Sequence, residues 1–444
     1  MTDELAVIQK ALSDACGEVR AGGADDAVGG WGEASGSGEA SGLGEGSGSG
    51  GGIVPGFVVL PGSTEEAAAV LRAAAGHELA VVVRGAGGRL GWGTPPARCD
   101  LLVDTSRMNA VVEHSAGDLV ARVQAGARMG DVAAVLAEAG QEIALDVPAG
   151  ATVGGVVASG LAGPRRLRYG TPRDLLIGIT IVRADGTVAK SGGKVVKNVA
   201  GYDLGKLLAG SAGTLALITE VIFRLHPLPA ARAYVTAEYV AVGVACDAVA
   251  AAANSPLTAS AVELSRTGPD GRLRVGVLLE GSPEGVAARA DRMASLLGPA
   301  EIAAAPPPWW PGTPAADAGT SLVQVSFWVS ALPKVLDAIA AAVRESGVSA
   351  TVAGSAGAGV LSIGVSAETP AGMRTAQFVD ALRLALARER GAVAVLAAPA
   401  AVREVLAADG GMAGTVPGLA LMRAVKDQFD PAHRMAPGRF PEVI

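Results

Sequence analysis

Apolar residues along this chain recur either at every second position over short runs or three and four positions apart over longer ones. The first pattern predicts β-strands and the second predicts amphipathic helices. Ser63 stands where a helix N-cap is expected, with Glu65 and Glu66 in the following turn. In the first half we predict strands at residues 57–63, 80–84, 100–105, 119–125, 177–183 and 215–225, and helices at 4–20, 64–75 and 129–139.

The pattern restarts after two prolines, Pro227 and Pro229, which predicts a second domain. Its strands are predicted at residues 235–240, 272–280 and 321–330, and its helices at 284–297 and 332–345. A last helix is expected to end near Phe429, before a tail punctuated by prolines. The fold class is therefore α+β, with mixed strand pairing in a two-lobed first domain and an antiparallel sheet backed by helices in the second.

We divide the chain into four parts. Residues 1–52 form an N-terminal helix and a flexible Gly/Ser-rich linker, because the composition of 21–52 buries too little apolar surface to offset its ordering entropy. Trp31 in that linker either docks on a partner or stays solvated. Residues 53–229 form the first domain, 230–411 a cap domain, and 412–444 a tail that returns to the first domain.

Composition excludes several classes of function. The chain has 444 residues, half of them apolar, and a net charge of −7, which argues against a nucleic-acid surface. Its three cysteines lie far apart, so neither metal-ligand nor iron–sulfur spacing occurs. No secretory signal is evident, which favours a cytoplasmic protein. The uncharged run at residues 147–164 holds five glycines and two prolines, so we expect folded loop and strand there rather than a transmembrane helix.

The most informative segment is residues 81–96, where an apolar strand enters a loop with five glycines in nine positions. Glycines permit positive φ and let backbone N–H groups converge on an anion, and Arg84 adds a positive charge. The spacing matches neither the Rossmann fingerprint nor the P-loop. It favours a strand–loop–strand flavin cradle, and the alternative is a glycine-rich hairpin without a ligand.

Two more glycine-rich elements follow. Residues 151–176 combine glycines with four arginines, and residues 191–225 place glycines around Lys194, Lys197 and Lys206. Glycines let the backbone approach a flat ligand, and arginines hold anions. Three glycine-rich elements in one domain are more than the turns of the domain alone would require.

Four motifs in order carry a resemblance to a known family: RGAGGRLGWGTPP, ATVGG with GPRRLRYGTPRDLLIG, GGKVVKNVAGYDLGKLLAGSAGTLALITE, and FDPAHRMAPGRF. Together they resemble the FAD-binding subunits of bacterial glycolate oxidases, within the PCMH-type, vanillyl-alcohol-oxidase-like flavoproteins. The resemblance covers residues 53–229 closely, together with the tail. It departs from the family at Ala436, where an asparagine is usual, and in the Gly/Ser-rich N-terminal segment.

The resemblance implies noncovalent FAD. Relatives that tether the flavin use a histidine at the position of Gly88, so no covalent bond is expected there. The loop would wrap the pyrophosphate, the second element would line the isoalloxazine, and the third would lie by the adenine. The implied cofactor-binding residues are Arg84, Gly85, Ala86, Gly87, Gly88, Leu90, Gly91, Thr152, Val153, Gly154, Gly155, Ser159, Gly163, Arg165, Tyr169, Gly213, Leu215 and Ile218.

The resemblance also implies oxidation of a small 2-hydroxy acid, glycolate or D-lactate, by hydride transfer to the flavin. Electrons would pass to a partner, with a sister flavoprotein and an iron–sulfur subunit as the expected partners. The chain would then be cytoplasmic or peripheral to the inner membrane through a partner. Two alternatives stay open: a self-sufficient flavin oxidase or dehydrogenase of another alcohol, and a non-catalytic subunit that holds FAD for assembly.

No catalytic residue stands out. All four histidines lie outside the predicted cap, so it offers no histidine pair as a base. Arg165 and Arg166, with Arg168, are candidates to grip a substrate carboxylate, or equally form a phosphate clamp or partner surface. Tyr202 is a third candidate for catalysis.

Two further side-chain environments stay open from the sequence. Asp203 either acts at the flavin or pairs with Lys197 or Lys206. Trp309 and Trp310 either line a cleft or pack back on the cap. No metal site is predicted.

Overall fold

The computed structural model describes residues 2–29, 52–194, 203–268, 271–310, 319–368, 371–408 and 411–439. The chain divides into two compact units. Unit 1 contains residues 1–162, 171–228 and 416–444, and unit 2 contains residues 163–170 and 229–415.

The helices, in chain order, are α1 (Thr2–Ala15), α2 (Thr64–Gly76), α3 (Met129–Ala137), α4 (Val153–Ser159), α5 (Arg166–Tyr169), α6 (Pro172–Leu175), α7 (Gly205–Leu208), α8 (Val242–Asn254), α9 (Pro283–Leu297), α10 (Leu332–Ser346), α11 (Ala371–Ala387), α12 (Ala400–Ala408) and α13 (Leu419–Phe429).

The strands of unit 1 are β1 (Val19–Ala21), β2 (Phe57–Val59), β3 (Val81–Arg84), β4 (Leu101–Asp104), β5 (Val111–Ser115), β6 (Val120–Gln124), β7 (Gln141–Glu142), β8 (Leu176–Val182), β9 (Val188–Gly192), β10 (Leu217–Arg224) and β11 (His226–Pro227). Those of unit 2 are β12 (Ala231–Tyr239), β13 (Ala261–Thr267), β14 (Leu273–Gly281), β15 (Ala300–Ala303), β16 (Ser321–Ser326), β17 (Ser349–Gly354), β18 (Val360–Ser366) and β19 (Ala392–Ala397).

The smaller main sheet of unit 1 has the order β1–β2–β4–β3. Strands β2 and β3 both pair in parallel with β4, and β1 pairs antiparallel with β2. The three parallel strands are short apolar runs, as expected for strands buried on both faces. Helices α1 and α2 cover the sheet, and Leu12 and Leu71 are fully buried in its core. Ser63 caps α2 by accepting a hydrogen bond from the Glu66 backbone at 3.1 Å.

The larger sheet of unit 1 is antiparallel, with the order β5–β6–β10–β8–β9. Its core is formed by apolar side chains of β6, β8 and β10. Period-two alternation holds over parts of these strands, as at Ile179 and Ile181, and the pairing of β10 with β8 has two register shifts. Helices α3 and α4 pack into the same core. A two-residue pairing of β7 with β11 completes the strand pairing of this unit.

Unit 2 is built on one eight-stranded antiparallel sheet with the order β15–β12–β14–β13–β17–β18–β16–β19. Helices α8 to α11 contribute buried apolar faces to a single core with this sheet. The predicted antiparallel sheet backed by helices is confirmed. Among the described residues, no helix of either unit is both long and apolar enough to cross a bilayer.

Three predictions about organisation need correction. Residues 21–29 are folded rather than part of a flexible linker: β1 pairs with β2, and Val28 is buried and bridges to Ile53. The run at 147–164 contains helix α4 rather than only loop and strand. Residues 163–170 belong to unit 2, although they lie within the second glycine-rich element, residues 151–176. The part of the predicted linker at 30–51, including Trp31, lies outside the described residues.

Candidate functional site

The first glycine-rich loop follows β3 and leaves its backbone accessible. Gly87 has φ +79°, a conformation that L-residues rarely adopt, and Leu90 closes the turn by donating to the Gly87 carbonyl at 3.1 Å. Ala86 and Gly88 are exposed, and no protein atom lies within 4 Å of where a Cβ on Gly88 would stand. The loop can therefore bring backbone N–H groups against a bound anion.

Arg84, at the end of β3, has its charge compensated inside the chain. Its Nε lies 2.9 Å from Asp104 Oδ2, and its Nη1 lies 3.0 Å from Asp26 Oδ1. Asp26 also binds Arg20, and this hydrogen bond, with smaller help from the Gly23 backbone and Arg84, lowers the pKa of Asp26 to about 2. The positive charges of Arg20 and Arg84 thus balance the negative charges of Asp26 and Asp104.

The second glycine-rich element meets the first at Gly85. A Cβ on Gly85 would stand 2.1 Å from Thr152 Oγ1, so a side chain at that position would force the loop away. Thr152 is the N-cap of α4 and accepts a hydrogen bond from the Gly155 backbone at 3.3 Å. Gly154 packs equally closely, because its Cβ would lie 2.8 Å from the Ala125 side chain.

The third element joins the opposite end of α4. The backbone of Gly210 donates to the Val157 carbonyl at 2.9 Å, and that of Ala212 donates to the Ala158 carbonyl at 2.7 Å. Gly210 and Gly213 both have positive φ, with no atom near the place of a Cβ. All three glycine-rich elements therefore meet around α4.

Several predicted cofactor residues have side chains that pack in the core or bond within their own element, and their contacts with the cofactor stay a prediction. Val153, Leu215 and Ile218 are buried within the core of the larger sheet, and Leu90 is half-buried against the smaller one. The Ser159 hydroxyl donates to the Gly155 carbonyl at 2.7 Å within α4. Gly91 is half-buried in the loop. These positions shape the elements that carry the exposed backbone.

The C-terminal tail runs along the free edge of β3. Val81 donates to the Arg434 carbonyl, and the Ala436 backbone donates back to Val81, each at 2.8 Å. The Ala97 backbone donates to the Pro437 carbonyl at 2.7 Å. The tail thereby reaches the first loop, and Arg439 Nη2 donates to the Arg89 carbonyl at 2.9 Å. The predicted return of the tail to the first domain is seen in these contacts.

Gly163, Arg165 and Tyr169 lie in unit 2, where they form part of a buried polar cluster. Arg165 Nη1 lies 3.4 Å from Glu280 Oε1, and the Tyr169 hydroxyl donates to Glu280 Oε2 at 3.3 Å. Arg232 also binds Glu280, at 3.0 Å. Arg166, in contrast, donates from Nε to the Gly163 carbonyl at 3.1 Å. The roles of this segment toward a cofactor or substrate stay predictions.

The structure shows contacts for two environments that were left open. Asp203 pairs with Lys206, whose Nζ lies 3.1 Å away, and its role at the flavin stays a prediction. Trp310 packs edge-on against Tyr234, with ring centroids 5.3 Å apart, and Trp309 covers Gly276, so both rings pack back on the sheet of unit 2. Tyr202 and Lys197 lie outside the described residues. Within the described ranges, no group of acidic, histidine or cysteine side chains could hold a metal ion.

Sequence reasoning missed the residues that decide the charge of the loop. Asp26 and Asp104 neutralise Arg84, while Arg89 and Arg439 carry buried guanidinium nitrogens without hydrogen-bond partners in the part of the chain that is described. Arg89 lies in the motif RGAGGRLGWGTPP and Arg439 in the motif FDPAHRMAPGRF, so both are visible in the sequence. Only the folded structure shows which arginine faces a carboxylate.

Family comparison agrees with this geometry. Residues 55–192 match the FAD binding domain family, and residues 411–440 match the C-terminal domain of FAD linked oxidases. The first match contains two of the three glycine-rich elements in full, and the second contains most of the tail, including Arg439.

Similar proteins include two glycolate oxidase subunits and a D-lactate dehydrogenase. Glycolate oxidase subunit GlcD of Bacillus subtilis is 34% identical over 189 residues, which are 42% of this chain and 40% of that protein. Glycolate oxidase subunit GlcE of Escherichia coli is 37% identical over 34% of this chain and 43% of its own length. D-lactate dehydrogenase of Archaeoglobus fulgidus is 36% identical over 37% of each. The matched region thus spans about two fifths of the length of these relatives.

Among solved structures, p-cresol methylhydroxylase superposes with a TM-score of 0.72 at 15% identity, covering 100% of this chain and 98% of that one. At this identity the likeness shows the fold alone, and the fold is the PCMH-type FAD-binding fold that the motifs predicted.

The matches to an FAD binding domain and to the C-terminal domain of FAD linked oxidases identify FAD as the cofactor. The residues present fit that cofactor. Open backbone at Gly88, Gly210 and Gly213 admits a close ligand. The Nε atoms of Arg89 and Arg439, which have no hydrogen-bond partner in the described part of the chain, favour an anion.

Proposed function

We propose that this chain oxidises a small 2-hydroxy acid, glycolate or D-lactate, and passes the electrons to a partner protein. The observation that carries the proposal is the meeting of three glycine-rich elements around α4, in a chain whose FAD-binding region resembles glycolate oxidase subunits and D-lactate dehydrogenases. The names of those relatives, several of them subunits, support both the substrate class and a multi-subunit assembly.

The chain's own residues have separable roles in this proposal. FAD, when bound, supplies the acceptor for a hydride from the carbon that bears the hydroxyl group. The exposed backbone of Ala86 and Gly88 holds the cofactor's pyrophosphate. The second element would line the isoalloxazine and the third would lie by the adenine. Hydrogen bonds to the Val157 and Ala158 carbonyls fix these two elements to each other.

Arg165 and Arg166 are the proposed anchors for the substrate carboxylate. A guanidinium pairs with both oxygens of a carboxylate, which a 2-hydroxy acid always carries at neutral pH. Glu280 holds Arg165 and Tyr169 in fixed orientations within unit 2. Such orientation would help a small acid present its hydroxyl-bearing carbon in one way.

Dye-linked turnover tests the proposal. The FAD-loaded chain is mixed with an artificial electron acceptor dye and with glycolate, D-lactate or L-lactate as the matched control. We expect dye reduction with glycolate or D-lactate and at least about tenfold less with L-lactate, because a fixed carboxylate and hydroxyl present the wrong hydrogen in that enantiomer. Turnover with a simple alcohol but with none of the acids would contradict the substrate class.

A second candidate is a subunit that holds FAD while a sister subunit oxidises the substrate. The observation that favours it is the placement of histidine: none of the four occurs in the sequence of unit 2. Histidine is the commonest general base near neutral pH. In this case the flavin would stay oxidised when the purified chain meets any 2-hydroxy acid, and would become reduced only with the sister subunit present.

A further inference from the structure

Arg439, near the end of the C-terminal tail, buries its guanidinium beneath the first glycine-rich loop. The residue is 5% exposed, and its Nη2 donates to the carbonyls of Arg89 at 2.9 Å and Trp92 at 3.4 Å. Its Nε has no hydrogen-bond partner among the described residues. Burial lowers the pKa of Arg439 to about 10, so the side chain remains charged at neutral pH.

Arg89 lies in the same loop and is also uncompensated. Its guanidinium carbon lies 4.9 Å from the centre of the Trp92 ring, and its Nε is buried without a hydrogen-bond partner. Burial lowers the pKa of Arg89 as well. Within the described part of the chain, no carboxylate lies within ion-pairing distance of Arg89 or Arg439, in contrast to Arg84 with its two.

A buried charge without a counter-ion is costly, commonly by several kcal/mol. Carbonyl dipoles from Arg89 and Trp92 offset part of that cost for Arg439. The remainder would be offset by an anion bound to the same loop. Arg89 lies in the first glycine-rich loop and Arg439 donates to its carbonyls. The glycine backbone of the same loop is open to a ligand.

We propose that Arg439, together with Arg89, supplies the positive charge that balances the pyrophosphate of FAD, and that Arg84 does not. Arg84 instead ties β3 to Asp26 and Asp104. The tail is then part of the cofactor site rather than only an edge strand that covers β3. The proposal rests on FAD binding and is independent of which substrate the chain oxidises.

The test measures binding of two ligands to the apoprotein by quenching of flavin fluorescence. FAD carries the pyrophosphate and riboflavin lacks it. Arg439→Met should raise the Kd for FAD by about 10- to 100-fold, the range expected for loss of a charge-assisted contact, while the Kd for riboflavin changes less than about twofold. Arg439→Lys keeps the charge and should recover part of the FAD affinity.

Arg434→Met is the matched control. Arg434 lies in the same tail, donates from Nη2 to the Ala184 carbonyl at 2.7 Å and also buries a nitrogen without a partner, but it sits beside Val81 at the other end of β3. Its substitution should change FAD and riboflavin binding equally.

Arg89→Met gives an independent measurement if the Arg439 variant does not fold, since Arg89 is only partly buried. It should weaken FAD binding selectively as well. The proposal would be overturned if folded Arg439→Met and Arg89→Met lost FAD and riboflavin affinity equally, or if their FAD affinity were unchanged. Absence of FAD binding by the parent chain would instead overturn the cofactor assignment itself.

Discussion

Some residues around the first glycine-rich loop determine its backbone conformation, and others determine the electrostatic charge beside it. Gly85 permits contact with Thr152, and Gly87 provides the positive φ of the turn. Arg84 is neutralised by Asp26 and Asp104, whereas the Nε atoms of Arg89 and Arg439 have no partner in the described part of the chain. The identity of each residue type was readable from the sequence, but its electrostatic partner was not.

Gly87→Val should abolish FAD retention. A β-branched residue at φ +79° is strained by at least about 1–2 kcal/mol, and relief of that strain would move the loop. The measurement is the ratio of flavin to protein absorbance after purification, with circular dichroism to establish folding. Gly117→Val is the control, because Gly117 lies in an exposed turn with no atom near the place of a Cβ. Normal flavin content in folded Gly87→Val would contradict the loop assignment.

Asp26→Asn should destabilise unit 1 in a pH-dependent manner. The folded pKa of Asp26, about 2, lies below the ordinary value of 3.8, so its contribution is fully present above pH 3.8 and is lost as the pH falls through about 2. We expect a loss of about 2 kcal/mol in the free energy of unfolding at pH 7, and a smaller loss near pH 3. Urea titrations at both pH values measure it.

Asp14→Asn is the control for that experiment, because Asp14 forms an exposed pair with Lys10 at 2.7 Å. Exposed pairs contribute little, so this variant should match the parent at both pH values. An Asp26→Asn deficit that is the same at pH 7 and pH 3 would contradict the ion-pair account.

At the scale of elements, the sequence predicted six of the thirteen helices and nine of the nineteen strands in the described residues. It missed α4, and also the longer helices α8 and α11. Gly154 and Gly155 disfavour a helix by local propensity, and five glycines across the run pointed to a loop. The structure uses Gly154 for close packing on Ala125, a tertiary contact that no local pattern reveals. The error at residues 21–29 is of the same kind, since pairing of β1 with β2 and the ion pairs of Asp26 order a polar, glycine-containing stretch.

Helix α13 is fastened to the tail by one fully buried lysine. Lys426 Nζ donates to the carbonyls of Thr214 at 2.6 Å and Met435 at 2.9 Å, and to Asp430 Oδ2 at 2.7 Å. Burial lowers the pKa of Lys426, while Asp430 acts in the opposite direction. This arrangement connects α13, the third glycine-rich element and the tail that carries Arg439.

Lys426→Met should destabilise unit 1 by about 3 kcal/mol or more, because it leaves the Asp430 carboxylate buried without its cation. Urea unfolding at pH 7 measures the change. Lys10→Met removes a lysine with the same spacing to its aspartate, but from an exposed pair, and should cost less than about 1 kcal/mol. Equal effects of the two substitutions would show that the buried arrangement contributes nothing.

At the scale of the whole molecule, unit 1 carries the glycine-rich elements and unit 2 carries an antiparallel sheet with the Arg165 cluster. The alternation of patterns predicted two domains of these classes. It could not predict that residues 163–170 join unit 2, because the contacts of Arg165 and Tyr169 with Glu280 bridge more than a hundred positions of sequence.

The flavin should be noncovalently bound. Gly88 has no side chain that could form a bond at the position where tethering relatives use histidine. Precipitation of the FAD-loaded protein with trichloroacetic acid should release all flavin into the supernatant, measured by absorbance. Yellow colour that stays in the washed pellet would contradict the prediction.

The most direct test of the central claim is an anaerobic absorbance spectrum of the FAD-loaded chain before and after glycolate or D-lactate is added. If the chain oxidises a small 2-hydroxy acid with its flavin, the oxidised flavin bands will bleach with at least one of these acids. Bands that persist with both acids, while dithionite bleaches them, would contradict that claim and favour a subunit that only holds FAD.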